Sequence, residues 1–149
     1  MTTQNSLDEA VIGKVRELLA TNKTMFLSTS ANDHPWVAGV FFAESDLFNL
    51  TLILETGGRT LSNIRANSNV AVVVSSGSAF AAYLQGEADA VLLGSDDELD
   101  ATKNVLRAKA PEIEPLLQYP GVAVRLSIRR WRATDVMSGW IPGKELLPG

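Results

Sequence analysis

The stretch that decides the fold reads TMFLSTS (24–30), PWVAGVFF (35–42), LFNLTLIL (47–54), TGGRTLSNIRANSN (56–69), VAVVV (70–74) and FAAYLQGEADAVLL (80–93). The five apolar runs are rich in β-branched and aromatic residues and are parted by turn-forming clusters, the rhythm of successive antiparallel strands. Trp36 to Phe42 is apolar on both faces, which predicts a strand covered on both sides. Phe48, Leu50, Leu52 and Leu54 alternate with Asn49 and Thr51, a half-buried strand. Phe80, Ala82, Leu84 and Ala88 fall on one face of the last run, with Tyr83, Gln85, Glu87 and Asp89 on the other. Gly86 lands on the inward face, where a curled sheet needs a tight bend. Gly57-Gly58 interrupts the strands, and Leu61 and Ile64 mark the inner side of a short helix that Asn67 to Asn69 should end.

Outside this centre, Leu7, Val11, Val15, Leu18 and Leu19 recur at helical spacing. Ser6 to Glu9 has the form of a capping box, so a helix is predicted from there to about Asn22. Ser95 to Glu98 is a second capping box, and its helix should stop at Pro111. Val122, Val124, Leu126 and Ile128 alternate, but Trp131 is out of step with them, which predicts a β-bulge near Arg129–Arg130. Trp140 to Gly149, carrying Pro142, Gly143 and Pro148, reads as an ordered or semi-ordered arm. Residues 1–149 are expected to form a single α+β domain with an antiparallel barrel at its centre.

The composition narrows the chemistry. Thirteen basic against seventeen acidic residues leave a net charge of −4, so neither nucleic acid nor an anionic membrane is an expected partner. Zero cysteines exclude disulfides, iron–sulfur clusters and thiolate nucleophiles. One histidine, His34, is too few for an imidazole metal cluster, and no metal is expected. The N-terminus lacks a signal pattern, and no apolar run approaches about 20 residues. A soluble, cytoplasmic protein is the expectation.

Thr56-Gly57-Gly58-Arg59-Thr60 lies between a strand end and a helix start. Free N–H groups at a helix N-terminus favour an anion, and glycines let it come close. Arg59 can add a two-pronged charged hydrogen bond and Thr60 a hydroxyl, which makes a phosphate seat. The plainer alternative is a glycine turn with a solvated arginine. Trp36, Phe41 and Phe42 suit either ring stacking or a core or subunit interface. Trp140 on its Gly/Pro-rich arm could lid a planar ligand or pack on a partner. Arg125, Arg129, Arg130 and Arg132 suit either a second anion contact or an edge strand blunted by charge.

FLSTSANDHPWVAGVFF, LILETGGRTLSNIRANSNVAVVV and YLQGEADAV, in that order, resemble the pyridoxamine 5′-phosphate oxidase-like family of FMN-binding split β-barrels over about residues 25–91. Arg59, then Asn63-Ile64-Arg65-Ala66-Asn67, then a valine-rich strand carry most of the likeness, with Gly86-Glu87-Ala88 after it. The resemblance implies a split barrel of six or more antiparallel strands in a Greek-key-like order, with a few peripheral helices. It implies a homodimer with two flavin sites at the subunit interface. The isoalloxazine ring would rest on the backbone of Val37, Ala38, Gly39 and Val40, and the phosphate would sit at Thr56 and Gly58–Thr60.

Three positions depart from the family's pattern. Ala38 stands where an arginine is usual, Thr60 where a lysine is, and Gly58 where a serine is. No match is found to the C-terminal residues with which dedicated vitamin B6 oxidases hold substrate. The expected function is thus an FMN-dependent oxidoreductase acting on an unidentified small molecule, other than pyridoxamine phosphate oxidation, with no side chain read as catalytic. The alternatives are a deazaflavin-dependent reductase on the same fold, or a non-catalytic carrier or sensor dimer for flavin or haem.

Overall fold

A computed structural model describes the backbone of residues 2–149 and the side chains of residues 8–149. Its elements are helix α1 (Thr2–Thr21), strands β1 (Thr24–Ala31), β2 (His34–Phe41), β3 (Ala43–Asp46) and β4 (Asn49–Glu55), and helix α2 (Arg59–Ala66). Strands β5 (Asn69–Val74) and β6 (Tyr83–Leu93), helices α3 (Asp96–Lys109) and α4 (Glu114–Leu117), and strands β7 (Gly121–Asp135) and β8 (Trp140–Leu146) follow.

The eight strands form one antiparallel sheet in the order β2-β1-β5-β6-β7-β4-β3, with β8 also on β7. The long β7 explains the split. Its residues 121–127 pair with β4, and its residues 131–135 pair with β8 along the same side. Among the described residues no ladder joins β2 to β3, so the sheet curls into a barrel that stays open. The α+β split barrel is therefore present, with strands in a non-sequential, Greek-key-like order.

Local chemistry accounts for the turns. Asn32 and Asp33, at φ 52° and 62°, make the two-residue β1–β2 hairpin, and both residue types tolerate the left-handed region. At the bulge, Glu87 faces Arg130 while Ala88 faces Ile128, so Arg129 is the extra residue, as the phase change at Trp131 predicts. Ser95 caps α3 by accepting from the Glu98 N–H at 3.1 Å and donating to its carboxylate at 2.9 Å.

Several expectations are corrected. Helix α1 begins at Thr2, because residues 2–5 hold no proline or glycine to stop it, so Ser6 lies within the helix; its side chain falls outside the described residues. Strand β6 starts at Tyr83, leaving Phe80 exposed in the preceding loop. Strand β2 is not covered on both sides: it is an edge strand, with Trp36 39% and Val37 61% exposed. The arginines of β7 lie on an interior strand, and three are matched by acids: Arg129 by Asp89, Arg130 by Glu87 and Glu145, and Arg132 by Glu145. They do not blunt an edge, since β7 has neighbours on both sides.

Two part-buried charge clusters fix the helices to the barrel. Lys109 donates to the Leu19 carbonyl (2.8 Å) and to Glu44 (2.6 Å), joining α3 to α1 and β3. Burial pushes its ammonium down from the ordinary lysine range, with Glu44 opposing. Asp135 accepts from the Ser138 hydroxyl at 2.8 Å and lies 3.5 Å from Lys14 of α1. The Ser138 hydrogen bond first, then Lys14, hold its carboxyl below the usual range. A carboxylate depressed in the folded state contributes stability above its unfolded pKa and loses it as pH falls. Ser138→Ala should therefore be less stable than wild type at neutral pH, by a margin that shrinks below about pH 4. Urea titrations across that range test this; a margin independent of pH would contradict it.

Candidate functional site

Strand β4 ends at Glu55, and the chain turns through Gly57 and Gly58 into α2. Gly58 is extended (φ −83°, ψ 156°), and no side chain caps the helix. The Gly58 N–H donates to the Glu55 carbonyl at 3.2 Å, and the first intrahelical bond runs from the Ser62 N–H to the Gly58 carbonyl. The N–H groups of Arg59, Thr60 and Leu61 therefore precede the helical ladder and have no intrahelical acceptor. Helix α2 is held on the barrel by Leu61 and Ile64 in the main core. A buried Asn63 Nδ2 to Thr29 Oγ1 bond of 3.0 Å adds to this.

This helix end opens on a cleft of about 530 Å³. One wall is the edge strand β2, contributing Trp36, Ala38, Gly39 and Val40; the facing wall is Leu54, Glu55 and Gly58 to Leu61. Leu116 and Tyr119 close one end. The Arg59 guanidinium sits 4.2 Å from the centroid of the Trp36 ring, a cation–π contact that holds it over the β2 wall. The Glu55 side chain folds across Gly58: a Cβ there would come within 2.8 Å of its Cγ and 3.0 Å of its Oε1. The mouth of the cleft thus carries one guanidinium and one carboxylate.

Of the residues singled out in the sequence, Ala38, Gly39, Val40, Gly58, Arg59 and Thr60 converge on this cleft. Val37 points to the opposite face of β2, into a hollow of about 500 Å³ shared with Phe26 and Ser28. Thr56 is adjacent but outside the lining, its N–H bonded to the Pro120 carbonyl at 3.0 Å. Trp140 begins β8, pairs with Asp135 and packs on the main core, away from the cleft. Glu55, Leu116 and Tyr119 were not legible as site residues. Their place follows from the small second core of Ala43, Leu106, Ile113 and Leu117, which seats α4 beside β4.

The family model described as Pyridoxamine 5′-phosphate oxidase matches residues 11–135. No curated protein matches the chain in sequence. Among solved structures, General Stress Protein 26 from Bacillus anthracis str. Sterne is 19% identical with a TM-score of 0.70, over 93% of this chain and 98% of its own. An FAD-binding protein from Mesorhizobium loti is 17% identical with a TM-score of 0.66, over 80% of this chain and 91% of its own. A heme binding protein from Mycobacterium smegmatis is 15% identical with a TM-score of 0.73, over 90% of this chain and 56% of its own. At these identities the likeness is one of fold.

Proposed function

The chain belongs to the pyridoxamine 5′-phosphate oxidase family, and we propose that it is an FMN-binding oxidoreductase that works as a homodimer on a small molecule other than pyridoxamine phosphate. The observation that carries this reading is the cleft at the start of α2, where three backbone N–H groups and Arg59 converge beside a backbone wall. Its volume lies in the range of cofactor sites. Arg59 and the amides of Thr60 and Leu61 would hold the phosphate. The Ala38–Val40 backbone would carry the ring, with Trp36 at its side. The flavin, when bound, supplies the hydride chemistry. The protein's part is to bind, orient and exclude water, and no side-chain acid or base is assigned.

A deazaflavin coenzyme carries the same kind of anion and would use the same seat. A second reading, a non-catalytic carrier or sensor dimer, is favoured by the low positive charge of the mouth: Ala38 and Thr60 replace two usual cations, and Glu55 adds an opposing charge. The FAD- and heme-binding descriptions of two structural relatives agree with a fold that takes more than one group. The homodimer is supported by edge strand β2, whose apolar Trp36 and Val37 stay exposed among the described residues. A single domain over residues 1–149 and a cytoplasmic location belong to the same proposal. One core cluster running from Val11 to Leu146 supports the first, and the lack of cysteine suits the second. Among the described residues, no helix is long and apolar enough to cross a membrane.

The test is a parallel titration with FMN, riboflavin and a deazaflavin coenzyme, followed by turnover of the reduced form with electron acceptors. Arg59→Ala should weaken FMN at least about tenfold, the scale of one charge-assisted hydrogen bond, and leave riboflavin nearly unchanged. Protein that ignores all three ligands would end the flavin reading. Binding without turnover would favour the carrier.

A further inference from the structure

Beside the cleft, and sharing Gly39, Val40, Glu55, Leu116 and Tyr119 with it, lies a second cavity of about 370 Å³. Its inner wall is apolar: Met25, Phe41, Ile53, Ile113 and Leu117, of which Met25, Ile113 and Leu117 are buried. Its rim carries Leu116 and Tyr119, 55% and 66% exposed, large apolar groups that surface residues seldom present together around an opening. Glu55 is the one lining side chain charged at neutral pH, and among the described residues it has no ion-pair partner.

We propose that this chamber is a second binding subsite, for a small uncharged aromatic molecule, with Glu55 as the residue that rejects anions. Apolar walls reward the transfer of an apolar ring out of water roughly in proportion to the area covered. An unpaired carboxylate at the opening acts differently on each charge class. It costs an entering anion Coulomb energy that rises as water is displaced, tolerates a cation, and leaves a neutral ring unaffected. Because Glu55 stands at the boundary of both cavities, a ring in the chamber lies next to whatever the cleft holds. The subsite stands on the chamber's own walls and does not require the neighbouring cleft to take a flavin.

The test compares two fluorescent probes that differ by one charge, phenylnaphthylamine and its anionic relative anilinonaphthalene sulfonate, added to the full chain without cofactor. The uncharged probe should bind at least about tenfold more tightly than the sulfonate, the scale of one like-charge contact at a partly hydrated site. Glu55→Gln should raise sulfonate affinity by about the same factor and leave the uncharged probe unchanged. Leu116→Asp, at an exposed position that the fold does not need buried, should weaken the uncharged probe about tenfold. Equal affinity for the two probes, or a sulfonate affinity indifferent to Glu55→Gln, would overturn the proposal. So would uncharged-probe binding that fades as protein concentration rises, which would assign the chamber to a second copy of the chain.

Discussion

Replacing Trp131 by alanine is expected to lower the folding free energy by about 3–5 kcal/mol, a large share of the roughly 5–15 kcal/mol that holds a domain folded. The indole is fully buried on β7, and its Nε1–H donates to the Leu47 carbonyl at 2.6 Å, between β3 and β4. On its other side it fills the space that Gly86 of β6 leaves open: a Cβ at Gly86 would lie 2.6 Å from Cζ3 and 2.8 Å from Cε3. One side chain therefore ties the bulged β6–β7 pair to the β3–β4 hairpin. Its removal forfeits the apolar transfer energy, leaves a cavity and strands the carbonyl. Trp131→Phe keeps most of the ring and loses the donor, so it should cost nearer 1–3 kcal/mol. Urea unfolding followed by circular dichroism measures both; a loss below about 1 kcal/mol for the alanine variant would mean that the site collapses around the gap.

The bulge beside Trp131 was legible because strand period is strict: a residue out of phase after Ile128 has to be accommodated by an inserted one. The α2 entrance was legible for a different reason: Gly57-Gly58 breaks the strand pattern, and Leu61 and Ile64 resume the apolar residues at helical spacing. Strand β2 shows where such reasoning stops. An apolar pattern on both faces of PWVAGVFF says that water is to be excluded, and says nothing about whether the same chain, a ligand or a second copy does the excluding. Strand β8 was hidden by the residues that permit it. Gly143 reads as a breaker, yet a Cβ there would come within 2.7 Å of Arg132 Cγ and 2.8 Å of the Ala133 carbonyl. The close pairing of β8 with β7 at the irregularity between Ala133 and Asp135 thus needs a glycine. Glu55, Leu116 and Tyr119 meet only in three dimensions, through α4 and a connection whose local sequence carries no ligand signal.

Val37→Glu is expected to weaken self-association at least about tenfold, because it replaces an exposed apolar side chain of the edge strand with a charge that a contact would have to desolvate. Val37 is 61% exposed on the edge strand, next to Phe26 at 52%, above a hollow lined by Ala71 and Val73 and also by Glu87, Arg130, Arg132 and Glu145. Neither side chain is part of the barrel core, so the protomer should fold unchanged. That makes sedimentation a direct readout of association. The same substitution distinguishes an interfacial cleft from one complete within a single chain. Ala38, Gly39 and Val40 lie on the strand that carries Val37 and face the cleft. If a second copy completes that cleft, Val37→Glu should weaken flavin in parallel with the dimer, whereas Arg59→Ala should weaken flavin and leave the dimer intact. Wild-type protein that sediments as a monomer at micromolar concentration would remove the homodimer. Dissociation with undiminished flavin affinity would place the whole ligand site within one chain.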